Sequence, residues 1–195
     1  MVAHSFTRIT SFLIDSIILS LVLSLLTFWV PQSNSYQKAL EDERNLLNDY
    51  SENKIDFDTY LDKYTENQYL LEKESILITL VSCVLSIGYF GTFAYYNNGQ
   101  TLGKKLLKIK VTSNSGKELK HTTYILRALI LSGVLFSLIS CIMLLFIKSN
   151  QYLYTVFLVS MLSSFITIVS TLMIAFRKDK RSIHDLICGT KVVEE

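Results

Sequence analysis

Hydrophobic residues gather in four long windows, residues 9–30, 76–96, 124–147 and 152–176, and the charged residues fall mostly between them. At about 1.5 Å per helical residue, each run is long enough to cross a hydrocarbon core of about 30 Å. Lipid offers no partner to a bare peptide group, so such runs must be helical. The pattern predicts an all-α integral membrane protein with four transmembrane helices. Between the first two windows the pattern changes. Tyr36, Leu40, Leu47 and Tyr50 recur at helical spacing, and Phe57, Leu61, Tyr64 and Leu71 do so again after "SENKID". Either Asp56 or Asp58 suits the N-cap of the second run. Residues 31–74 are therefore expected to form an antiparallel helical pair whose second helix runs into the second span. Between the second and third windows, Leu102, Leu106, Leu107 and Ile109 lie among lysines, as in a short amphipathic segment on a membrane surface. "KIKVTSNSGKELK" then alternates and turns at "SNSG", which predicts a small β-hairpin, with "GTKVV" near the C-terminus as a further strand.

Composition agrees: of 195 residues, 50% are hydrophobic and 18% charged, with a single proline. Charge adds orientation. Residues 31–74 carry eleven acids and five bases, whereas 97–123 carry six lysines and one acid, Glu118, and the segment after Phe176 opens "RKDKR". By the positive-inside rule, the basic 97–123 loop and the 177–195 tail are cytoplasmic, both termini are inside, and 31–74 lies outside. Trp29, Tyr95, Tyr96, Tyr124 and Tyr152 sit near span ends, where interfacial aromatics belong. The first apolar run is too long for a signal-peptide core and is followed by no small-residue cleavage site, so it is read as a span. Cys83 and Cys141 lie within spans and Cys188 in the tail, so no disulfide framework is expected. Small and hydroxyl residues line helical strips in three spans, among them Ser16, Ser20, Ser24 and Thr27 in the first and Ser160, Ser163, Thr167 and Ser170 in the fourth. Helix packing explains them better than a conduit does, because no ionisable group continues the strips across the bilayer.

Little here suggests an enzyme. "GQTLGKK" has three rather than four residues between Gly99 and Gly103, and Lys104 is followed by lysine, so it is no phosphate loop. His4, His121 and His184 are scattered, and no nucleophile–base spacing stands out. No metal, cofactor or nucleic acid is expected.

Arg8 and Asp15 in the first span, "GQTLGKKLLKIKV" after the second and "SIHDLICGTKVV" at the end resemble the RDD family of bacterial membrane proteins, named for one arginine and two aspartates. The resemblance assigns the arginine to Arg8, the aspartates to Asp15 and Asp185, and a structural Gly-x-Thr-x-Gly element to Gly99, Thr101 and Gly103. It covers the spans and basic segments in order, but not 31–74, where most relatives have a much shorter connection. It implies a small multi-span protein, with roles ranging from monovalent cation/proton antiport to partner or regulator of other membrane proteins.

Arg8 and Asp15 are seven residues apart and share a helix face. An ionised aspartate inside a membrane costs roughly 2.5–3.5 kcal/mol on insertion scales, so it faces the bundle and finds a partner. Arg127 lies at similar depth in the third span. The expectation is a charged cluster of Arg8, Asp15, Arg127 and Asp185 at the inner end of the bundle, with Arg127 pairing Asp15 and Arg8 as the first alternative. One reading makes the cluster a fold-fixing ion network; the other makes Asp15 a proton or cation site. Lys104, Lys105, Lys108 and Lys110 are expected to face anionic inner-leaflet lipid. Two functions follow: a non-enzymatic partner, scaffold or regulator of membrane or envelope proteins, with 31–74 as contact surface, or a Na⁺/K⁺–proton antiporter using Asp15. The antiporter, with a single acid in its spans, would need several copies of the chain to assemble.

Overall fold

The structure is a computed structural model describing residues 1–30 and 32–195; the side chain of Trp29, expected at an interface, lies outside the described residues. Helix α1 (Ser5–Trp29) starts at His4, whose ring accepts the Phe6 N–H. Helices α2 (Asn34–Ser51) and α3 (Phe57–Glu74) follow, capped by Ser33 and Asp56. Of the two aspartates considered for the second cap, Asp56 takes the position, accepting the Thr59 N–H at 3.0 Å. The face that α2 buries is set by Ala39 and Leu46, one residue off the expected Leu40 and Leu47, because small Ala39 lets α3 approach and Asn67 donates to its carbonyl at 2.9 Å. Tyr50 stacks on Tyr60 at 4.7 Å between ring centroids, while Leu47 and Phe57 stay exposed.

After a one-residue break at Ser75, α4 (Ile76–Ile87) continues through a π-helical segment (Gly88–Phe93) into α5 (Ala94–Tyr96). The short α6 (Leu102–Leu106) and strand β1 (Ile109–Ser113) lead to α7 (His121–Leu131), α8 (Val134–Phe146), α9 (Ser149–Phe176), α10 (Ile183–Ile187) and β2 (Thr190–Glu194). Three helical stretches, Ser5–Phe28, Ile76–Tyr96 and Ser149–Phe176, are long and apolar enough to cross a membrane, and α7 with α8 would make a fourth as a bent pair. The single helix expected over 124–147 is thus two helices meeting at 70°. Gly133 makes the bend with φ +72°, a left-handed conformation that costs other residues roughly 1–2 kcal/mol.

Two surfaces show what surrounds these helices. Leu13, Ile17, Leu21 and Leu25, four residues apart along α1, are all exposed. On α9, the most apolar 18-residue window has none of its residues buried. Contiguous apolar surface of this extent requires a non-aqueous neighbour. The hydroxyls in the spans turn inward on their own helices: Ser16, Thr167 and Thr171 each donate to the carbonyl four residues earlier. That local bonding fits packing rather than a polar conduit.

At one end of the bundle the chain builds a small cap. Strand β1 pairs antiparallel with β2, from Ile109 opposite Glu194 to Ser113 opposite Thr190, and Val2 bridges Val193. The further strand expected at "GTKVV" is therefore β1's partner, and the hairpin expected at "SNSG" does not form. The alternation that suggested a hairpin serves the long-range pair instead: Ile109, Val111 and Val192 are buried together with Ala3, Ala94 and Tyr124. "KELK" offers that core only Leu119.

Candidate functional site

Two buried carboxylates organise the capped end, and each is met by a different set of donors. Asp15, fully buried, lies in the third turn of α1. Its Oδ1 accepts the Gly103 N–H at 2.7 Å and the Tyr89 hydroxyl at 2.6 Å, and its Oδ2 accepts the Thr101 hydroxyl at 2.5 Å. Lys104 Nζ stands 3.7 Å from Oδ2 and donates to Thr101 Oγ1 at 3.0 Å. Asp15 therefore caps the first turn of α6 from another helix, bound mainly by neutral donors.

The Gly-x-Thr-x-Gly element supplies this fit. A Cβ on Gly103 would stand 2.3 Å from the Ser11 carbonyl oxygen and 2.9 Å from Asp15 Oδ1. Only a bare backbone can come that close to α1. Gly99, at φ +83°, brings its own backbone against β1, where a Cβ would lie 2.4 Å from the Val111 carbonyl oxygen. Thr101, between them, gives the hydroxyl to Asp15.

Asp185 is also fully buried, and it is held by charge. Arg127 donates from Nε and Nη2 to Oδ1, both at 3.2 Å, and Arg8 Nη2 donates to Oδ2. Arg8 Nη1 also donates to the Lys180 carbonyl. Thr190 reaches Oδ1 at 3.2 Å, and Ser182 donates to Oδ2 through both its N–H (3.2 Å) and its hydroxyl (2.8 Å). Ser182 and Asp185 form a capping box at the start of α10, so one carboxylate closes a helix and joins α1 to α7.

Electrostatics follow from burial. Burial alone would raise the Asp185 carboxyl, but Arg127 and Arg8 outweigh it and hold it far below the usual carboxylate range. Burial, reinforced by Arg127, pushes the His184 imidazole down to about 3, so it is neutral beside Ser182, with Nε2 2.8 Å from Oγ. Burial and the neighbouring Arg127 bring Lys104 down to about 8.

The structure brings Arg8, Arg127 and Asp185 together and places Asp15 beside Lys104 instead of beside Arg127. The expected Asp15–Arg127 pair is thus exchanged for two separate pairings, because α10 carries Asp185 to the arginines. Lys104 is corrected too: expected to face lipid, it is 5% exposed and turned toward Asp15, with its ammonium 5.9 Å from the Phe90 ring centre. Lys105 and Lys108 are exposed and Lys110 is half-buried. Four contributors escaped the sequence reading: Tyr89, Lys104 as a partner, Ser182 and Thr190. Ser182 had a signal, since "SIHD" fits the capping-box spacing; Tyr89 and Thr190 had none that a linear pattern reveals.

A family model described as "RDD family" matches residues 2–189. The uncharacterized protein YxaI of Bacillus subtilis (strain 168) is 28% identical over 134 residues, covering 66% of this chain and 68% of that protein. No solved structure matches.

Proposed function

We propose, from the premise that this chain belongs to the RDD family, that it serves as a non-enzymatic partner, scaffold or regulator of other proteins in a bacterial plasma membrane. In this reading both termini and the capped end lie in the cytoplasm, and α2 and α3 stand outside. The observation that carries it is the state of Asp15. A proton- or cation-carrying acid must exchange its partners during a cycle. Both oxygens of Asp15 are instead committed to the backbone and side chains that hold α6 on α1. Exposed Leu47 and Phe57 at the far end of the α2–α3 pair provide apolar contact surface for a partner.

Ion flux in proteoliposomes tests the choice. No pH-coupled sodium or potassium movement is expected. Flux that Asp15→Asn abolishes while leaving stability intact would replace this reading with antiport. A photo-crosslinker at Phe57 in intact cells should give one discrete adduct to a membrane or envelope protein, where one at lipid-facing Leu158 should not.

A further inference from the structure

Between α1, α7, α9 and α10 lies a cavity of about 130 Å³. A single water needs about 10–15 Å³ by the same kind of measure, so there is room for several waters or one small anionic group. Arg8, Lys104 and Arg127 line it, together with Thr167, Ser170 and Thr171 of α9, and isoleucines from α1, α7 and α9 supply much of the remaining wall.

The charges around this cavity do not balance. Arg8, Lys104 and Arg127 are 6%, 5% and 4% exposed, and the two buried carboxylates available to them are Asp15 and Asp185. Three cations face two anions. Asp179, the next carboxylate along the chain, also acts on Arg8, but it lies at the surface with its charge shared by Arg177, in two 2.9 Å bonds, and by Arg181 at 3.9 Å. His184, which also lines the cavity, is a neutral imidazole at physiological pH. Donors are left over as well. Arg127 spends Nε and Nη2 on Asp185, and its Nη1 has no hydrogen-bond partner among the described residues. The Ser170 hydroxyl has none either. An unbalanced charge held away from bulk water costs several kcal/mol, and water can solvate that charge without cancelling it.

We propose that this cavity binds one phosphate oxyanion, carried by the head group of an anionic phospholipid or present as free phosphate. Guanidinium and ammonium donors facing one space, with the Ser170 hydroxyl beside them, suit a phosphate with its several acceptor oxygens; the Thr167 and Thr171 hydroxyls already donate to their own helix. A single negative charge completes the balance of the cluster. The wall is largely aliphatic, and Phe165, Ile168 and Leu172, exposed on the opposite face of the same stretch of α9, put the cavity level with apolar surface, which suits a phosphodiester with acyl chains attached. The site stands whether or not the partner role holds.

The test uses the full-length protein purified in uncharged detergent. Affinity is read from native mass spectrometry and from thermal midpoints with phosphatidylglycerol, phosphatidylcholine or inorganic phosphate at matched ionic strength. Phosphatidylglycerol is expected to bind in a one-to-one complex and raise the midpoint, and phosphatidylcholine is not. Ser170→Leu fills the cavity without touching a charge, and Lys104→Met removes the excess cation. Each should weaken binding at least tenfold, while Lys105→Met, on the exposed side of α6, should not. Binding of both phosphatidylglycerol and free phosphate shows that the oxyanion suffices; binding of phosphatidylglycerol alone assigns the lipid source; either supports the site. Equal stabilisation by both lipids, no binding of either anion, or undiminished binding to Ser170→Leu overturns it. Should Lys104→Met fail to fold, Ser170→Leu decides alone.

Discussion

Asp15 and Asp185 sit at the same end of the bundle, both fully buried and each capping a five-residue helix, Asp15 from within α1 and Asp185 from within α10 itself, yet they are stabilised by opposite means. Asp185 draws on two arginines from two other helices. Asp15 draws on a threonine, a tyrosine and a peptide N–H, with the Lys104 ammonium at 3.7 Å. The difference shows what each carboxylate is for. Charge reaches farther than a hydrogen bond, so Asp185 can join helices separated by side-chain length. Hydrogen bonds to backbone demand close approach, so Asp15 fixes α6 against α1 at a distance only Gly103 permits. Removing either member of a buried ion pair strands the other, while removing a neutral donor costs about 1–3 kcal/mol.

The largest effect is therefore expected at Asp185. Asp185→Ala leaves Arg8 and Arg127 facing each other without a counter-charge and should cost about 3–5 kcal/mol of stability. Titration with denaturing detergent in mixed micelles measures it. A greater loss from Asp15→Ala would reverse the comparison.

A double-mutant cycle sharpens it. Arg127→Ala with Asp185→Ala should lose at least about 1 kcal/mol less than the sum of the single changes, since contacting residues couple. Asp15→Ala with Arg127→Ala should couple less than that first pair, since the two share no hydrogen bond and act on each other only through Lys104. Strong coupling in the second cycle would put Arg127 on Asp15 after all.

Acid should separate the two regions next. The folded state keeps His184 neutral down to about 3, whereas an unfolded histidine takes up its proton near its usual 6.5. Stability is then fully present above pH 6.5 and falls on acidification by about 1.4 kcal/mol per pH unit, or roughly 2 kcal/mol by pH 5. Asp185, whose carboxyl is lowered in the fold, adds its own loss only once pH drops below the usual carboxylate range. His184→Gln should flatten the slope between pH 6.5 and 5; an unchanged slope would place the titrating group elsewhere.

Gly103→Ala should cost about 1–3 kcal/mol through overpacking against Ser11 and Asp15, while Gly88→Ala, with nothing within 4 Å, should be neutral or stabilising by up to about 1 kcal/mol. The smallest effect belongs to the other end of the molecule. Lys54 pairs with Glu52 and Asp49 there, with all three side chains well exposed. Lys54→Ala should leave the unfolding midpoint unchanged within error.

Local regularities carried the sequence reading far. The apolar windows located α1, α4, α5 and α9, since a helix repeats within four residues and a membrane solvent selects uniformly for greasy side chains. The turn before α3 was legible for the same reason, and its cap was narrowed to Asp56 or Asp58, because a cap acts on the N–H groups just after it. Arg8, Asp15 and Asp185 could be singled out because a charge in or beside an apolar run is conspicuous. Their pairing was not in the pattern. Asp15 meets residues 74 to 89 positions away, and Arg8 meets one 177 away, so the partner depends on which helix ends the fold brings together. Lys104 looks like its neighbours Lys105 and Lys108 in sequence, and only the packing of α6 on α1 turns it inward. The alternation at 109–113 announced a strand, but not whether a hairpin or the distant β2 would take its edge. Gly133 read as one small residue among others until its left-handed backbone bent the third span. Local chemistry chooses elements within a turn or two. Partners are chosen by contacts between distant parts of the chain, and these exist only once the helices have packed.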